Sequence, residues 1–364
     1  MIKRLKQFVV NVIAGANLAT VLLMLAAGFS DRISPVSYPT LSCLGMAFPV
    51  FAVINLLFLL FWIAVYWRKS WIPVVGFLLA YIPISKYMPL NSRQDVPEGS
   101  IKVVSYNVCL YNGAGANRDT ADAILDYIKG QQADIVCVQE DADKWRNNLL
   151  DSYRKLFDYN DTTLLAVPEK GSNSLGIHTR YPILRKERIY YPSNGNGSVA
   201  YYLLKGQDTL LVINNHLECT HLSRKDRTRY TGILKGEVKG DTARIESMNL
   251  IGKLAKHSAR RAPQAEAVHR YVEAHRQYPT IVCGDFNDTP ISYAHRTIAQ
   301  GLTDCFQASG RGIGLSYNQK GFWVRIDHIL CSPAFEPYNC YVDSKIKFSD
   351  HYPVVCWLKK HDYY

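Results

Sequence analysis

Two long stretches without a charged side chain dominate the first quarter of the chain. Residues 8–30 contain no Asp, Glu, Lys or Arg, and neither do residues 33–67. A helix in a water-soluble core seldom runs uncharged for so long, whereas about 20 apolar residues are what a bilayer crossing requires. The mean hydropathy of −0.10 conceals this, because the apolar residues are concentrated at one end. Such a pattern excludes a disordered chain, a collagen, a simple soluble protein and a small disulfide scaffold. The length of 364 residues suits two to three structural units.

Phe8 to Ser30 reads as a first spanning helix and Leu41 to Trp67 as a second, the latter closed by Trp62, Tyr66 and Trp67 in the manner of an interfacial aromatic belt. Trp71 to about Leu90 is a third candidate, interrupted by Pro73, Pro83 and Lys86. A cleaved signal peptide would also begin with basic residues, but the apolar stretch is too long and a second one follows. Three spans over about 8–30, 41–67 and 71–90 are therefore expected within residues 1–90. Lys3, Arg4 and Lys6 precede the first span and Arg68-Lys69 follow the second, which places both clusters in the cytoplasm. With three crossings, everything after residue 90 is extracytoplasmic in a multi-pass integral membrane protein; a re-entrant or interfacial third segment would leave the same domain cytoplasmic. Asn91 to Ser100 (NSRQDVPEGS) reads as a short linker.

From residue 101 to 364 the pattern changes to short β-type runs separated by turns and helices. IKVVSYNV (101–108), ADIVCVQE (133–140), TLLVINNH (209–216) and TIVCGDFN (280–287) are apolar runs that end in polar residues. Helical stretches such as Asp119–Lys129 and Ala262–Gln277 lie between them. This alternation points to an α/β fold whose functional groups sit where strands end. A polar residue at one strand end is usually a turn former. The ordered set is more specific: Asn107 after VVSY, Glu140 closing DIVCVQE, His216 after VINN, Asp285 and Asn287 in GDFND, Asp327 in RIDHIL, and Asp350-His351 in SDHYP.

On these motifs, residues 100 to 360 resemble the endonuclease/exonuclease/phosphatase superfamily, which includes pancreatic deoxyribonuclease, abasic-site endonucleases, neutral sphingomyelinases and inositol polyphosphate phosphatases. The resemblance implies a four-layer α/β sandwich, two mixed sheets face to face with helices outside. It also implies cleavage of a phosphoester with Mg2+ or Mn2+. Glu140 then becomes the chief metal ligand, with Asn107 beside it and Asp350 as a second carboxylate, since Mg2+ favours carboxylate and water oxygens. His351 is the expected general base, because imidazole titrates near neutral pH. Asp327 matches the carboxylate that orients that histidine. Asp285 positions or activates the water, or protonates the leaving oxygen. Asn287 and His216 donate to the phosphoryl oxygens.

Other residues take plainer readings. His328, next to Asp327 on a strand, points to the opposite face, and His221, His257, His269 and His275 read as surface residues. NSLGIHTRYPI (173–183) serves packing and turn geometry, with Asn173 a candidate to line the cleft. The nine cysteines contain no CxxC pair, and Cys137, Cys283 and Cys356 sit in apolar runs, where cysteine acts as a small core residue. Residues 218–262 hold eleven basic residues against five acids. Arg224, Lys225, Arg227 and Arg229 are the densest group, either a solvated helix face or a footprint for a polyanion, nucleic acid or anionic lipid. The phrases CGDFNDTP and RIDHIL depart from the inositol polyphosphate phosphatase pattern and disfavour a phosphoinositide. The leading expectation is thus a membrane-anchored, nuclease-like, metal-dependent phosphodiesterase. A lipid phosphodiesterase of the sphingomyelinase kind is the alternative, and a catalytically silent binding module the remaining one.

Overall fold

The computed structural model describes residues 2–112, 118–141, 146–166, 173–220, 222–319 and 321–362. Helix α1 (Ile2–Gly28) and helix α2 (Phe48–Val65) are long and apolar, and the segments Ile2–Arg32 and Pro39–Val65 reach the length and composition needed to cross a membrane. The third expected span is not one helix. It is α3 (Trp71–Leu79) and α4 (Tyr81–Tyr87), broken at Ala80. Pro83 has no N–H to give to the Leu79 carbonyl and its ring crowds that position, so the helix cannot run through. At 1.5 Å per residue, the two pieces measure roughly 13 and 10 Å against a hydrocarbon core of about 30 Å. Together they lie along α1, with Gly76 flush on Val21 and Pro83 flush on Gly28.

Twelve strands follow among the described residues: β1 (Ile101–Asn107), β2 (Ile135–Gln139), β3 (Tyr159–Ala166), β4 (Asn173–Thr179), β5 (Ile183–Ile189), β6 (Gly197–Lys205), β7 (Asp208–His216), β8 (Thr280–Asp285), β9 (Thr303–Asp304), β10 (Asp327–Cys331), β11 (Phe335–Val342) and β12 (Val354–Lys360). They form two six-stranded sheets, ordered β11-β12-β1-β2-β4-β3 and β5-β6-β7-β8-β10-β9. Each is mixed in the same way, since β1/β2 and β7/β8 are parallel pairs among antiparallel neighbours.

The strands alternate, so each sheet has two apolar faces to bury. Inward residues such as Val103, Ile135, Ile177, Tyr201, Val212, Ile281 and Ile329 fill the space between the sheets. Helix α5 (Arg118–Gln131) covers the outside of the first sheet with Ile124 and Ile128 packed on Val104 and Val136. The C-terminal half of α7 (Gly240–Ala274) covers the second through Ala265, Val268 and Val272. The four-layer arrangement follows. No disulfide joins the nine cysteines, all of them among the described residues, and six of them are buried.

Helix α7 carries a finding against the sequence reading. His257 is buried, because this part of the basic segment packs rather than faces water. His269 and His275 are half-buried, His275 stacking on Tyr271 at 4.2 Å, and His221 lies outside the described residues.

Candidate active site

The two parallel strand pairs end at the same edge of the sandwich, and their last residues face each other. Register makes the meeting unavoidable. His216 on β7 pairs with Asp285 on β8, and Asp285 in turn pairs with Asp327 on β10, so three polar side chains stand in a row across the second sheet. On the first sheet Asn107 ends β1 beside Gln139, and Glu140 is the next residue. Asp350 and His351 lie just before β12, at the end of β1 where Asn107 sits.

Short contacts tie the groups together. The Asn107 amide Nδ2 donates to Glu140 Oε1 (3.2 Å) and to Asp285 Oδ2 (3.1 Å), linking a carboxylate from each sheet. Its Oδ1 accepts the Cys109 amide N–H at 3.0 Å. Asp285 also accepts the Asn287 backbone N–H at 2.8 Å and the Asn287 Nδ2–H at 3.0 Å. The Asn287 Nδ2 further donates to the Leu217 carbonyl at 3.0 Å, so Asn287 orients Asp285 in this arrangement. His351 Nδ1 lies 2.8 Å from Asp327 Oδ2, and its Nε2 lies 3.8 Å from Asp285 Oδ2. His216 Nε2 stands 3.7 Å from both Glu140 Oε1 and Asp285 Oδ2 and makes no hydrogen bond. Its Nδ1 faces Asn173, which thus joins the site.

Electrostatics follow from burying like charges together. Burial pushes Asp285 up to about 6, and Asp327 pushes the same way. Burial likewise raises Glu140, with Asp350 adding repulsion. Burial pulls His351 down, but Asp327, Asp285 and Asp350 outweigh it and hold the ring well above the usual imidazole value. Burial keeps His216 below that value against the pull of Asp285, which leaves a neutral ring with an unused Nε2. The His351 imidazolium offsets part of the charge of Glu140, Asp285, Asp327 and Asp350, and the excess carboxylates offer hard oxygen donors, the set that suits Mg2+ or Mn2+. Asp285, Asp327 and His351 also place potential ligand atoms within 4.8 Å of one another.

The backbone is strained at this edge. Glu140 and Asn287 both have φ of +53°, and Cys109, Leu110 and Tyr111 form a left-handed turn with φ of 48–56°. Such conformations cost energy in non-glycine residues and gather at functional sites. Sequence reasoning missed several supports: Ser349 Oγ donates to the Asn107 carbonyl (2.7 Å), Ser316 Oγ accepts the Asp327 N–H (3.1 Å), and Tyr317 packs edge-on against the His351 ring at 5.1 Å. A hydroxyl two residues before His351 was the only hint in the chain. His328 lies on the opposite face, 3.0 Å from the Asp288 carbonyl.

Residues 104–351 match the Endonuclease/Exonuclease/phosphatase family. The chain belongs to that family. Solved structures agree on the fold. The human Nocturnin catalytic domain with bound sulfate anion is 15% identical with a TM-score of 0.52, covering 73% of this chain and 97% of that one. Truncated Caenorhabditis elegans TDP2 is 14% identical with a TM-score of 0.50, covering 72% and 99%. An endonuclease/exonuclease/phosphatase family protein from Bacteroides thetaiotaomicron is 18% identical with a TM-score of 0.50, covering 73% and 98%. Residues 10–87 match a domain of unknown function (DUF8431). No curated protein matches the chain. Membership makes this a nuclease- or phosphatase-like hydrolase fold, of a family whose members generally depend on divalent metals.

The basic segment is partly self-neutralised. Arg229 pairs with Glu246, Lys253 with Asp226, Arg260 with Glu218 and Arg261 with Asp288. Arg224 and Arg227, on α6 (Arg224–Leu234), instead line a cavity of about 790 Å3 beside Asp350, together with Lys235 and Lys347.

Proposed function

We propose that the protein is a membrane-anchored phosphodiesterase whose divalent cation is held by Glu140 and Asp350 with Asn107 beside them. The carrying observation is the convergence of Glu140, Asp285, Asp350, His216 and His351 on one cavity, with Asp327 behind His351, more carboxylates than His351 neutralises, and a His216 Nε2 without a hydrogen bond. A bound cation neutralises phosphoryl oxygens and stabilises the leaving oxygen. The rest of the reaction falls to the chain. His351, oriented by Asp327, would take a proton from the attacking water in its neutral form, which a cation at the neighbouring carboxylates favours by offsetting their hold on its proton. Asp285, fixed by Asn107 and Asn287, positions that water. His216 donates its Nε2–H to a phosphoryl oxygen, a donor already desolvated and aimed. A silent binding module has no need of the His351–Asp327 pair.

The helices support the membrane reading through an inverted polarity. Val12, Leu57 and Leu60 are more than half exposed, whereas Asn17 and Asn55 are fully buried. Asn17 Nδ2 donates to Asn55 Oδ1 at 3.0 Å, and Trp62 Nε1 donates to Asn17 Oδ1 at 3.0 Å. Apolar faces outward and polar bonds inward suit a lipid environment. Lys3, Arg4, Lys6, Arg68 and Lys69 lie at the termini of α1 and α2 remote from the segment that joins them, and with α3 and α4 returning along α1 as a third, broken crossing the positive-inside rule supports a domain outside the cytoplasm.

The test is hydrolysis of bis(p-nitrophenyl) phosphate by the full chain with Mg2+, with Mn2+ and with excess chelator. Full turnover in chelator, or an unaltered rate in His351→Ala, would refute the mechanism.

A further inference from the structure

The cavity at the catalytic edge is not built from the catalytic domain alone. About 220 Å3 in volume, it is lined by Glu140, His216, Asp285 and His351 on one side and by Ser42, Cys43 and Met46 on another. Those three belong to the connector between α1 and α2, where Pro39–Ser42 forms one helical turn and Cys43–Ala47 a 3-10 turn. The connector is docked closely. A Cβ on Gly45 would lie 2.3 Å from the Ile291 carbonyl oxygen, so only glycine permits this approach. Asp31, before the connector, is buried against Lys86 Nζ at 2.6 Å. Gln307 Nε2 donates to Ser85 Oγ at 2.9 Å, the Gly312 N–H donates to the Pro89 carbonyl at 2.8 Å, and the Arg325 guanidinium donates to the Lys86 carbonyl. The sandwich therefore sits fixed on one end of the helices, with its catalytic edge at the junction.

Leu222, Leu254, Ile291, Phe322 and Val324 add apolar wall to that cavity, alongside Thr220, Ser258, Thr289 and the Arg261–Asp288 ion pair, whose charges offset each other. Trp323, between two of them, is 69% exposed, as an interfacial anchor would be. The cavity of about 790 Å3 with Arg224, Arg227, Lys235 and Lys347 lies on the other side, and Asp350 and Arg227 line both. The cleft has a mainly apolar arm toward the helices and a basic arm away from them, with the candidate chemistry between.

We infer that the substrate is an amphiphile of the membrane, a phospholipid whose acyl chains enter along the connector wall and whose anionic headgroup extends into the basic arm. The inference rests on the phosphodiesterase reading above and specifies its substrate. A polynucleotide has no use for a wall of Met46, Leu254 and Phe322, and it would have to reach an edge already backed by the membrane end of the helices. A lipid in the adjoining leaflet presents its phosphodiester at that height without leaving the interface.

The test uses the full chain in nanodiscs with Mg2+. Substrates are bis(p-nitrophenyl) phosphate, glycerophosphoglycerol, phosphatidylglycerols of increasing acyl length in mixed micelles, and plasmid DNA. The lipid should be cut with a higher kcat/KM than glycerophosphoglycerol, rising by up to about fourfold per methylene seated on the wall until the wall is filled. Met46→Asp and Leu254→Asp should lower the lipid-to-glycerophosphoglycerol ratio of kcat/KM at least tenfold, whereas Tyr190→Asp, on an exposed loop, should leave it unchanged. If bis(p-nitrophenyl) phosphate is hydrolysed but acyl chains bring no gain, the amphiphile inference is overturned and the hydrolase reading stands. Preferred cleavage of DNA, undiminished in Met46→Asp, overturns it likewise in favour of a nuclease. Loss of hydrolysis on every substrate with Mg2+ present overturns the phosphodiesterase reading beneath it.

Discussion

Charging a buried carboxylate cluster without a cation should cost the fold stability, and restoring the cation should return it. Asp285 carries the clearest magnitude. Its carboxyl is raised to about 6 from the ordinary 3.8, chiefly by burial. A group raised in the folded state contributes stability that is present below its unfolded value and lost as pH rises through its folded value. The window is therefore pH 4 to 7, and the loss is on the order of 3 kcal/mol at 1.36 kcal/mol per unit. A cation bound at 100 times its dissociation constant returns about 2.7 kcal/mol, a comparable amount. For a domain of this size each kcal/mol moves Tm by roughly 2–4 °C, so Mg2+ should raise Tm by about 5–11 °C at pH 8. At pH 5, where Asp285 is protonated, the rise should be much smaller. The assay is thermal unfolding of the full chain in detergent, with Mg2+ or with chelator, at both pH values. Glu140→Gln should lose the Mg2+ response, while its metal-free Tm at pH 8 should not fall, since one repelling charge is gone. A Tm at pH 8 that ignores Mg2+, or a response equal at both pH values, would refute the reasoning.

His351→Ala should lower kcat by about 10²–10⁴-fold in steady-state measurements, the range for a lost general base, and should also lower Tm, because the buried Asp327 loses its partner. Asp327→Asn should also lower kcat, and it should move the acidic limb of the pH–rate profile downward, because the carboxylate that favours the protonated ring is gone; an unmoved limb would separate Asp327 from His351. His178 is buried neutral, pulled down to about 3 by desolvation, and stacks on Tyr153 at 3.4 Å. Its contribution to stability should be lost as pH falls from 6.5 toward 3, up to roughly 5 kcal/mol, and His178→Gln should flatten that part of the Tm–pH curve. Arg224→Ala with Lys347→Ala should raise KM for an anionic substrate while leaving kcat near the parent value, read from saturation curves.

Much of this was legible because the chemistry sits where strand patterns stop. VVSYN, DIVCVQE, VINNH and IVCGD each announce a strand by its apolar run and a functional group by its interruption, and the parallel pairs β1/β2 and β7/β8 carry those groups to one edge. The third segment is two helices and not one for a local reason: hydropathy counts Pro83 as tolerable, but the hydrogen-bond ladder does not. His257 was misread because a basic-looking helix buries its C-terminal half. The supports at Ser316 and Ser349 left little trace, since a hydroxyl that receives or gives one hydrogen bond resembles any loop serine. The connector left none at all. Ser42, Cys43 and Met46 lie inside an apolar stretch and reach the cleft only through a fold that joins positions 250 residues apart.

Gly45 links that hidden contact to the behaviour of the site. Because its Cα lies against the Ile291 backbone, the connector cannot shift without moving the segment that follows Asp285, Asn287 and Asp288. Asp288 in turn holds Arg261 at 3.0 Å, and its carbonyl lies 3.0 Å from His328, the residue after Asp327. The strained Asn287, the buried Asp285 and the Asp327–His351 pair therefore share a frame with the end of the membrane-type helices. Strain and unneutralised charge persist only where surrounding packing over-determines them. Here part of that packing comes from outside the sandwich, so the N-terminal helices support the catalytic edge structurally, beside the anchoring proposed for them.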